Sequence, residues 1–129
     1  MRVQLPQKLT PKPNAQVAPF VEALGEDLAI EFLLKFGGAE LYMEGYTQRT
    51  YGKAARFLGA ENFSRLQAMA RRGRPFPKRV PLANPWLATA LSCRGESTAE
   101  IARRLRVTDT TVRKLIRYGQ ERMLQGLAP

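Results

Sequence analysis

The sequence contains no histidine and only one cysteine among its 129 residues. It can therefore form neither a Ser-His-Asp triad nor a Cys-His nucleophile pair, and it lacks the Cys and His ligands of a structural zinc site. A lone Cys93 also excludes a disulfide within the chain, so nothing requires an oxidising compartment. These absences exclude several classes of enzyme, and we expect neither a metal ion nor a cofactor.

Long apolar runs are missing as well. No stretch approaches the ~18 residues that cross a bilayer, and the first residues lack the apolar segment of a secretory signal. We therefore expect a soluble, cytoplasmic protein with no membrane partner. Hydrophobic residues make up 44% of the chain, which is enough for a core.

Positive charge is scarce in the first part of the chain and abundant in the rest. Residues 1–50 carry five basic and six acidic residues, whereas residues 51–129 carry sixteen basic and five acidic ones. Eleven of those sixteen are arginines between Arg71 and Arg122, and arginine pairs with phosphate in a fork geometry. This distribution indicates a polyanionic partner, with nucleic acid as the leading choice. The alternative is a basic face that only keeps the protein soluble.

Prolines, glycines and apolar periodicity divide the chain into four parts. The fold class that we predict is mostly α, with an N-terminal helical dimerisation unit that contains one short β-strand, followed by a C-terminal helix-turn-helix. The predicted boundaries give a flexible arm at 1–14, dimerisation helices and strand at 15–48, a helical linker with a basic extended segment at 49–80, and a DNA-binding domain at 81–129.

The segment from Ala15 to Phe36 has the pattern of two helices separated by Gly25. In the second helix, the polar residues form a narrow stripe of Asp27, Glu31 and Lys35. Its apolar arc is wider than the ~100° that a surface helix of a monomer needs, which favours a dimer. The alternative is burial in the chain's own core. The predicted interface comprises Leu28, Phe32, Leu33 and Phe36.

Residues 39–43 alternate between polar and apolar side chains as a short strand does, directly after Gly37-Gly38. A single strand needs a partner strand, either from this chain or from a second copy. A weak internal repeat is also visible, because Leu24-Gly25 matches Leu58-Gly59 at an offset of 34 residues. Two copies are too few for a solenoid, and chance similarity is an equal explanation.

Residues 82–123 carry the clearest functional signal. Asn84 suits the N-cap and Pro85 the first position of a helix that runs to Arg94-Gly95. The sequence Ser97-Thr98-Ala99-Glu100 is a capping box for a short helix that ends at Leu105, and Thr108 suits the N-cap of a longer helix from Asp109 to about Met123. A short helix, a three-residue turn and a longer helix predict a helix-turn-helix, and a purely structural helical hairpin is the alternative.

Placing the second helix in the major groove of DNA assigns roles to its exposed side chains. The N-terminal half of this helix contacts the edges of the DNA bases. The basic side chains of the preceding helix contact phosphates. The predicted base contacts are Thr110, Thr111, Arg113, Lys114 and Arg117. The predicted backbone contacts are Arg94, Ser97, Arg103, Arg104, Arg106, Thr108, Lys78 and Arg79.

The combination of these motifs resembles the Mor/C family of bacteriophage transcription activators. The resemblance spans Phe20 to Arg117, and it is carried by Leu24-Gly25, Phe36-Gly37-Gly38, Leu41-Tyr42 and Ser97 through Arg117. It implies a homodimeric activator in the nucleoid of a bacterial or phage-infected cell, which recruits RNA polymerase to a promoter. It also implies strand contacts to DNA from Gly37, Gly38, Glu40 and Tyr42. Arg106 stands at the turn position where that family usually has glycine.

Other classes of function fit parts of the pattern. A repressor needs the same groove contacts as an activator. A non-regulatory binder, such as a terminase small subunit, also uses a helix-turn-helix. An enzyme acting on DNA needs a nucleophile among arginines, or paired carboxylates for Mg²⁺. Because the acids lie mostly on one helical stripe or at helix caps, we expect no catalytic residues.

Overall fold

A computed structural model describes residues 11–40, 48–72 and 79–129, with side chains for all of these except residues 48–51. In these ranges the chain is mostly helical, as the sequence predicts. It divides into an N-terminal unit, Ala15–Ala83, and a C-terminal unit in which residues 11–14 accompany Asn84–Pro129. The parts predicted separately as 15–48 and 49–80 thus lie in one unit. No helix in the described ranges is both long enough and apolar enough to span a membrane.

The described part of the N-terminal unit consists of two pairs of helices. The first pair is α1 (Ala18–Leu24) and α2 (Glu26–Phe36), and the second is α3 (Gln48–Leu58) and α4 (Ala60–Arg71). Within each pair the helices pack on each other, and α1 also packs on α4.

Two glycines separate the helices of each pair in the same way. Gly25 has φ 81° and ψ 162°, and Gly59 has φ 83° and ψ 157°. Each N–H donates to the carbonyl four residues earlier at 2.8 Å, and each carbonyl accepts from the N–H four residues later at 3.0 Å. Positive φ favours glycine at both positions. The weak sequence repeat therefore corresponds to two helix pairs of the same construction.

The apolar side of α2 is covered by neighbouring helices of the same unit. The ring of Phe32 stacks on Phe20 of α1 with centroids 5.8 Å apart, and Phe36 meets the edge of Phe57 of α3 at 5.6 Å. Leu28 is half-buried. The predicted dimer interface is thus not supported for three of its four residues, because the chain's own core buries Phe32, Leu33 and Phe36.

The extended segment after α2 pairs with a later segment of the same chain. The Gly38 N–H donates to the Val80 carbonyl at 2.7 Å, and the Val80 N–H donates to the Ala39 carbonyl at 2.8 Å. Glu40 and Arg79 form an isolated antiparallel bridge. The described ranges therefore contain no regular strand, and the pairing that they show needs no second copy. Residues 41–43 of the predicted strand lie outside those ranges.

The C-terminal unit contains α5 (Asn84–Cys93), α6 (Thr98–Leu105) and α7 (Asp109–Leu124). Residues 86–91 of α5 are all buried, and α5 packs against both other helices. Asn84 is the first residue of α5 and not the predicted cap before it, and Ala83 precedes it with φ 55°. The other two helices begin and end within one residue of their predicted positions.

Residues 11–14 pack on the C-terminal unit, so the predicted flexible arm of residues 1–14 is wrong for this part. The Trp86 indole N–H donates to the Pro11 carbonyl at 2.9 Å, and the Asn14 side-chain amide donates to the Pro129 carbonyl at 3.0 Å. A buried indole N–H needs an acceptor, and the backbone 75 residues away provides it. Residues 1–10 lie outside the described ranges.

Candidate nucleic-acid interface

The start of α6 is fixed by the predicted capping box. The Ser97 hydroxyl accepts a hydrogen bond from the Glu100 N–H at 3.1 Å, and the Glu100 carboxylate accepts one from the Ser97 N–H at 2.9 Å. The bond from the Ser97 backbone N–H, followed by one from the Ser97 hydroxyl, holds the pKa of the Glu100 carboxyl below its usual value. The stabilisation from this carboxylate is therefore present at neutral pH and is lost as the pH falls through the lowered pKa. Ser97 is exposed but already bonded as a cap.

The turn between α6 and α7 is three residues long and depends on a left-handed residue. Arg106 has φ 61° and ψ 42°, and its N–H donates to the Ala102 carbonyl. The Val107 N–H reaches the same carbonyl at 3.1 Å. A left-handed conformation costs a non-glycine residue roughly 1 kcal/mol. Arg106 therefore carries a strain that glycine at this position would not have.

Replacing Arg106 with glycine should raise the free energy of unfolding by about 0.5 to 1 kcal/mol, because glycine adopts positive φ without steric cost. Arg106→Ala is the matched control, since it removes the same charge but keeps the strain. Urea denaturation of the two variants and the wild type measures the difference. Equal stability of the glycine and alanine variants would contradict the left-handed turn.

The inner face of α6 and α7 holds the two helices against α5. Ile101 and Val112 are fully buried, and Ala102 is 6% exposed. Gly119 of α7 lies against Thr89 of α5, so closely that an added Cβ would lie 2.0 Å from the Thr89 hydroxyl oxygen. This close packing fixes which face of α7 points away from the unit.

Four of the five predicted base contacts share the opposite face of α7. They are spaced as i, i+3, i+4 and i+7, which places them on one side of a helix. All four are exposed, and three are basic. They are Thr110, Arg113, Lys114 and Arg117.

The fifth predicted base contact belongs to the helix cap. The Thr108 hydroxyl accepts from the Thr111 N–H at 3.2 Å and donates to the Thr111 hydroxyl at 3.0 Å. Thr111 is half-buried. Its hydroxyl is therefore already bonded within the turn, as is that of Thr108, a predicted backbone contact. The sequence identified the cap but not this second bond.

Two predicted backbone contacts flank an open depression between α6 and the start of α7. Arg103 and Arg106 are exposed at its edge, and its volume is about 580 Å³. The small residues Ala99 and Ala102 also line it. Ala99 was not predicted as part of the site, although its position four residues before Arg103 places it on the same face. Asp109 is the one acid in this lining.

The other predicted backbone contacts of the C-terminal unit are less available. Arg104 is half-buried and forms an ion pair with Glu96, so its charge is compensated. Arg94 is exposed, and it also interacts within the structure. Arg122, a further basic residue of α7, donates to the Ala128 carbonyl at 2.9 Å.

The described candidate residues of the N-terminal unit form ion pairs, hydrogen bonds or packing contacts within that unit. Arg79 contacts the Glu40 carboxylate at 3.1 Å and the Gly38 carbonyl at 3.3 Å. Glu40 therefore neutralises Arg79. A Cβ on Gly37 would lie 2.7 Å from the Leu33 carbonyl oxygen, which accounts for this glycine by packing. Lys78 and Tyr42 lie outside the described ranges.

Within the described ranges, no cluster of three or more acidic or cysteine side chains could hold a metal ion. The chain matches no protein-family model, and it has no significant match among curated proteins or solved structures. Any assignment of function therefore depends on the chain's own residues.

Proposed function

We propose that the chain is a sequence-specific regulator of transcription that binds double-stranded DNA through α6 and α7, which act as a helix-turn-helix. The observation that carries this proposal is the exposed face of α7. Thr110 and three basic residues are exposed on its first two and a half turns, while the opposite face is buried against α5. No described helix of the C-terminal unit covers these four side chains.

The dimensions and chemistry of this face suit the major groove. A helix with side chains is roughly 10–12 Å wide, and the groove of B-form DNA is about 12 Å wide. Arg113, Lys114 and Arg117 can donate to the O6 and N7 atoms of guanine, and Thr110 can contact a thymine methyl group. Arg103 and Arg106 are exposed on α6 and the turn, where they can pair with phosphates.

The number of copies on DNA is a separate part of the proposal. A homodimer stays a prediction, and burial of Phe32, Leu33 and Phe36 removes the face from which it was predicted. The α6 and α7 residues of the proposed site all belong to one copy. Activation through RNA polymerase stays a proposal from the resemblance to the Mor/C family.

Selection of bound fragments from random duplex DNA tests this function with the full chain. We expect one short sequence to be enriched, with a dissociation constant in the nanomolar range at physiological salt. An inverted repeat in that sequence would indicate two copies, and a single unrepeated site would indicate one. Retention of all duplexes alike, or of none, would contradict sequence-specific binding.

A further inference from the structure

The two helix pairs of the N-terminal unit have the same construction but opposite charge. The α1–α2 pair carries four acidic residues and one basic residue, and the α3–α4 pair carries five basic residues and one acidic residue. A further base, Arg72, follows α4 directly. The glycine that joins the helices has the same conformation in both pairs, so the acidic pair shows that this construction does not need positive charge.

The basic side chains of the second pair lie on its surface. Those that the structure describes are exposed, and the one acid of the pair, Glu61, is bound to Arg65 at 2.9 Å. No acid in the described ranges forms an ion pair with the two arginines at the end of α4. The exposed bases, which we call the α3–α4 basic surface, are Lys53, Arg56, Arg65, Arg71 and Arg72.

Helix dipoles explain only part of this surface. Arg71 and Arg72 lie at the C-terminal end of α4, where positive charge is favoured. Lys53 lies in the middle of α3, and the dipole does not reach that far from an end. The excess of positive charge on these two helices costs stability through self-repulsion, and a polyanionic partner would offset that cost.

We propose that the α3–α4 basic surface is a second DNA contact, which binds the phosphate backbone without reading sequence. This inference rests on the proposed function, since the same duplex would be bound by α7. DNA is the occupant that the charge favours, because phosphates are spaced every few ångströms along it and arginine binds them in a fork geometry. The contact adds affinity and salt dependence, and leaves base preference to α7.

A charge-matched pair of variants tests the second contact. Arg71→Gln/Arg72→Gln removes two charges from the basic surface. The control, Lys12→Gln/Lys35→Gln, removes two charges from exposed lysines outside α3, α4, α6 and α7. Lys35 lies over the Phe57 ring of α3 at 5.3 Å, and the single variant Lys12→Gln separates the loss of that contact from the loss of charge. Glutamine is a good helix former, so both variants should fold, which thermal unfolding checks. Dissociation constants for a random-sequence duplex are measured from 50 to 200 mM salt.

We expect the arginine variant to reduce the slope of log affinity against log salt by nearly 2, since each lost phosphate contact removes about 0.9. Affinity near 0.1 M salt should fall on the order of tenfold or more, and the control should change neither value appreciably. An arginine variant that behaves as the control would overturn the inference. So would a change in self-association with an unchanged salt slope, which would mean that the surface binds the acidic pair of a second copy.

The same binding measurements distinguish a failure of the proposed function from a failure of the second contact. Arg113→Gln/Arg117→Gln alters the exposed face of α7. If this variant weakens binding while Arg71→Gln/Arg72→Gln matches its control, only the second contact is overturned. If the wild type does not bind duplex DNA at any of these salt concentrations, both the proposed function and the second contact are overturned.

Discussion

Replacing Gly119 with alanine should lower the free energy of unfolding of the C-terminal unit by about 3 kcal/mol. The added Cβ would lie 2.0 Å from the Thr89 hydroxyl oxygen and 3.2 Å from the Thr89 Cβ. Rotating the hydroxyl away would break its 2.8 Å hydrogen bond to the Pro85 carbonyl. Overpacking of this kind costs roughly 1–3 kcal/mol, and a buried hydroxyl without a partner costs about 1–3 kcal/mol more. The higher helix propensity of alanine offsets only about 1 kcal/mol of this loss in stability.

The same substitution at Gly52 provides the control. Gly52 lies inside α3, and an added Cβ there would meet no atom within 4 Å. Gly52→Ala should therefore stabilise the chain by roughly 0.5–1 kcal/mol. Thr89→Ala in the Gly119→Ala background should recover part of the loss, since it removes the clashing oxygen. Urea denaturation measures all four chains. If Gly119→Ala stabilises as Gly52→Ala does, α5 and α7 do not approach as described.

Signals that act over three or four residues were read correctly from the sequence. The end of α1 and the start of α2 at Gly25, the capping box of Ser97 and Glu100, and the N-cap at Thr108 are all present as predicted. Each depends on a hydrogen bond or a backbone angle within one turn of helix. The residues involved are therefore visible side by side in the sequence.

Features that depend on distant residues could not be read in this way. The wide apolar face of α2 was correct, but the sequence could not show that Phe57, more than twenty residues later, covers part of it. The Trp86 indole N–H donates to the Pro11 carbonyl, 75 residues earlier, and no local pattern in the sequence indicates this acceptor. Gly119 inside a helix signals close approach, but only the packed structure identifies Thr89 as its neighbour.

The candidate site shows the same division. Helical spacing alone placed Thr110, Arg113, Lys114 and Arg117 on one exposed face. Counting charges did not show which basic residues are neutralised by a carboxylate, because the fold determines the partners of Arg104 and Arg79. Arg104 is bound by Glu96, eight residues away, and Arg79 by Glu40, which is much more distant.

Removing Arg113 and Arg117 together should abolish most of the preference for the selected DNA sequence. A good side-chain contact to a base edge contributes about 1–3 kcal/mol of discrimination, and about 1.4 kcal/mol is a factor of ten in affinity. The variant Arg113→Gln/Arg117→Gln should therefore lose on the order of a hundredfold in the ratio of dissociation constants for a scrambled duplex and the selected one. Both residues are exposed, so we expect little change in stability.

The variant Arg103→Gln/Arg106→Gln is its charge-matched partner. It also removes two exposed positive charges from the C-terminal unit, but from positions that we assign to phosphates. We expect it to weaken binding to the selected and scrambled duplexes by the same factor. Its preference between them should stay that of the wild type.

The central claim is tested most directly by the ratio of the dissociation constant for a scrambled duplex to that for the selected duplex. This ratio is measured for the wild type and both variants at one salt concentration. Insertion of α7 into the major groove predicts that the ratio collapses for Arg113→Gln/Arg117→Gln and is kept for Arg103→Gln/Arg106→Gln. If both variants lose affinity for the two duplexes to the same extent, α7 does not read the bases, and the proposed role of its exposed face is contradicted.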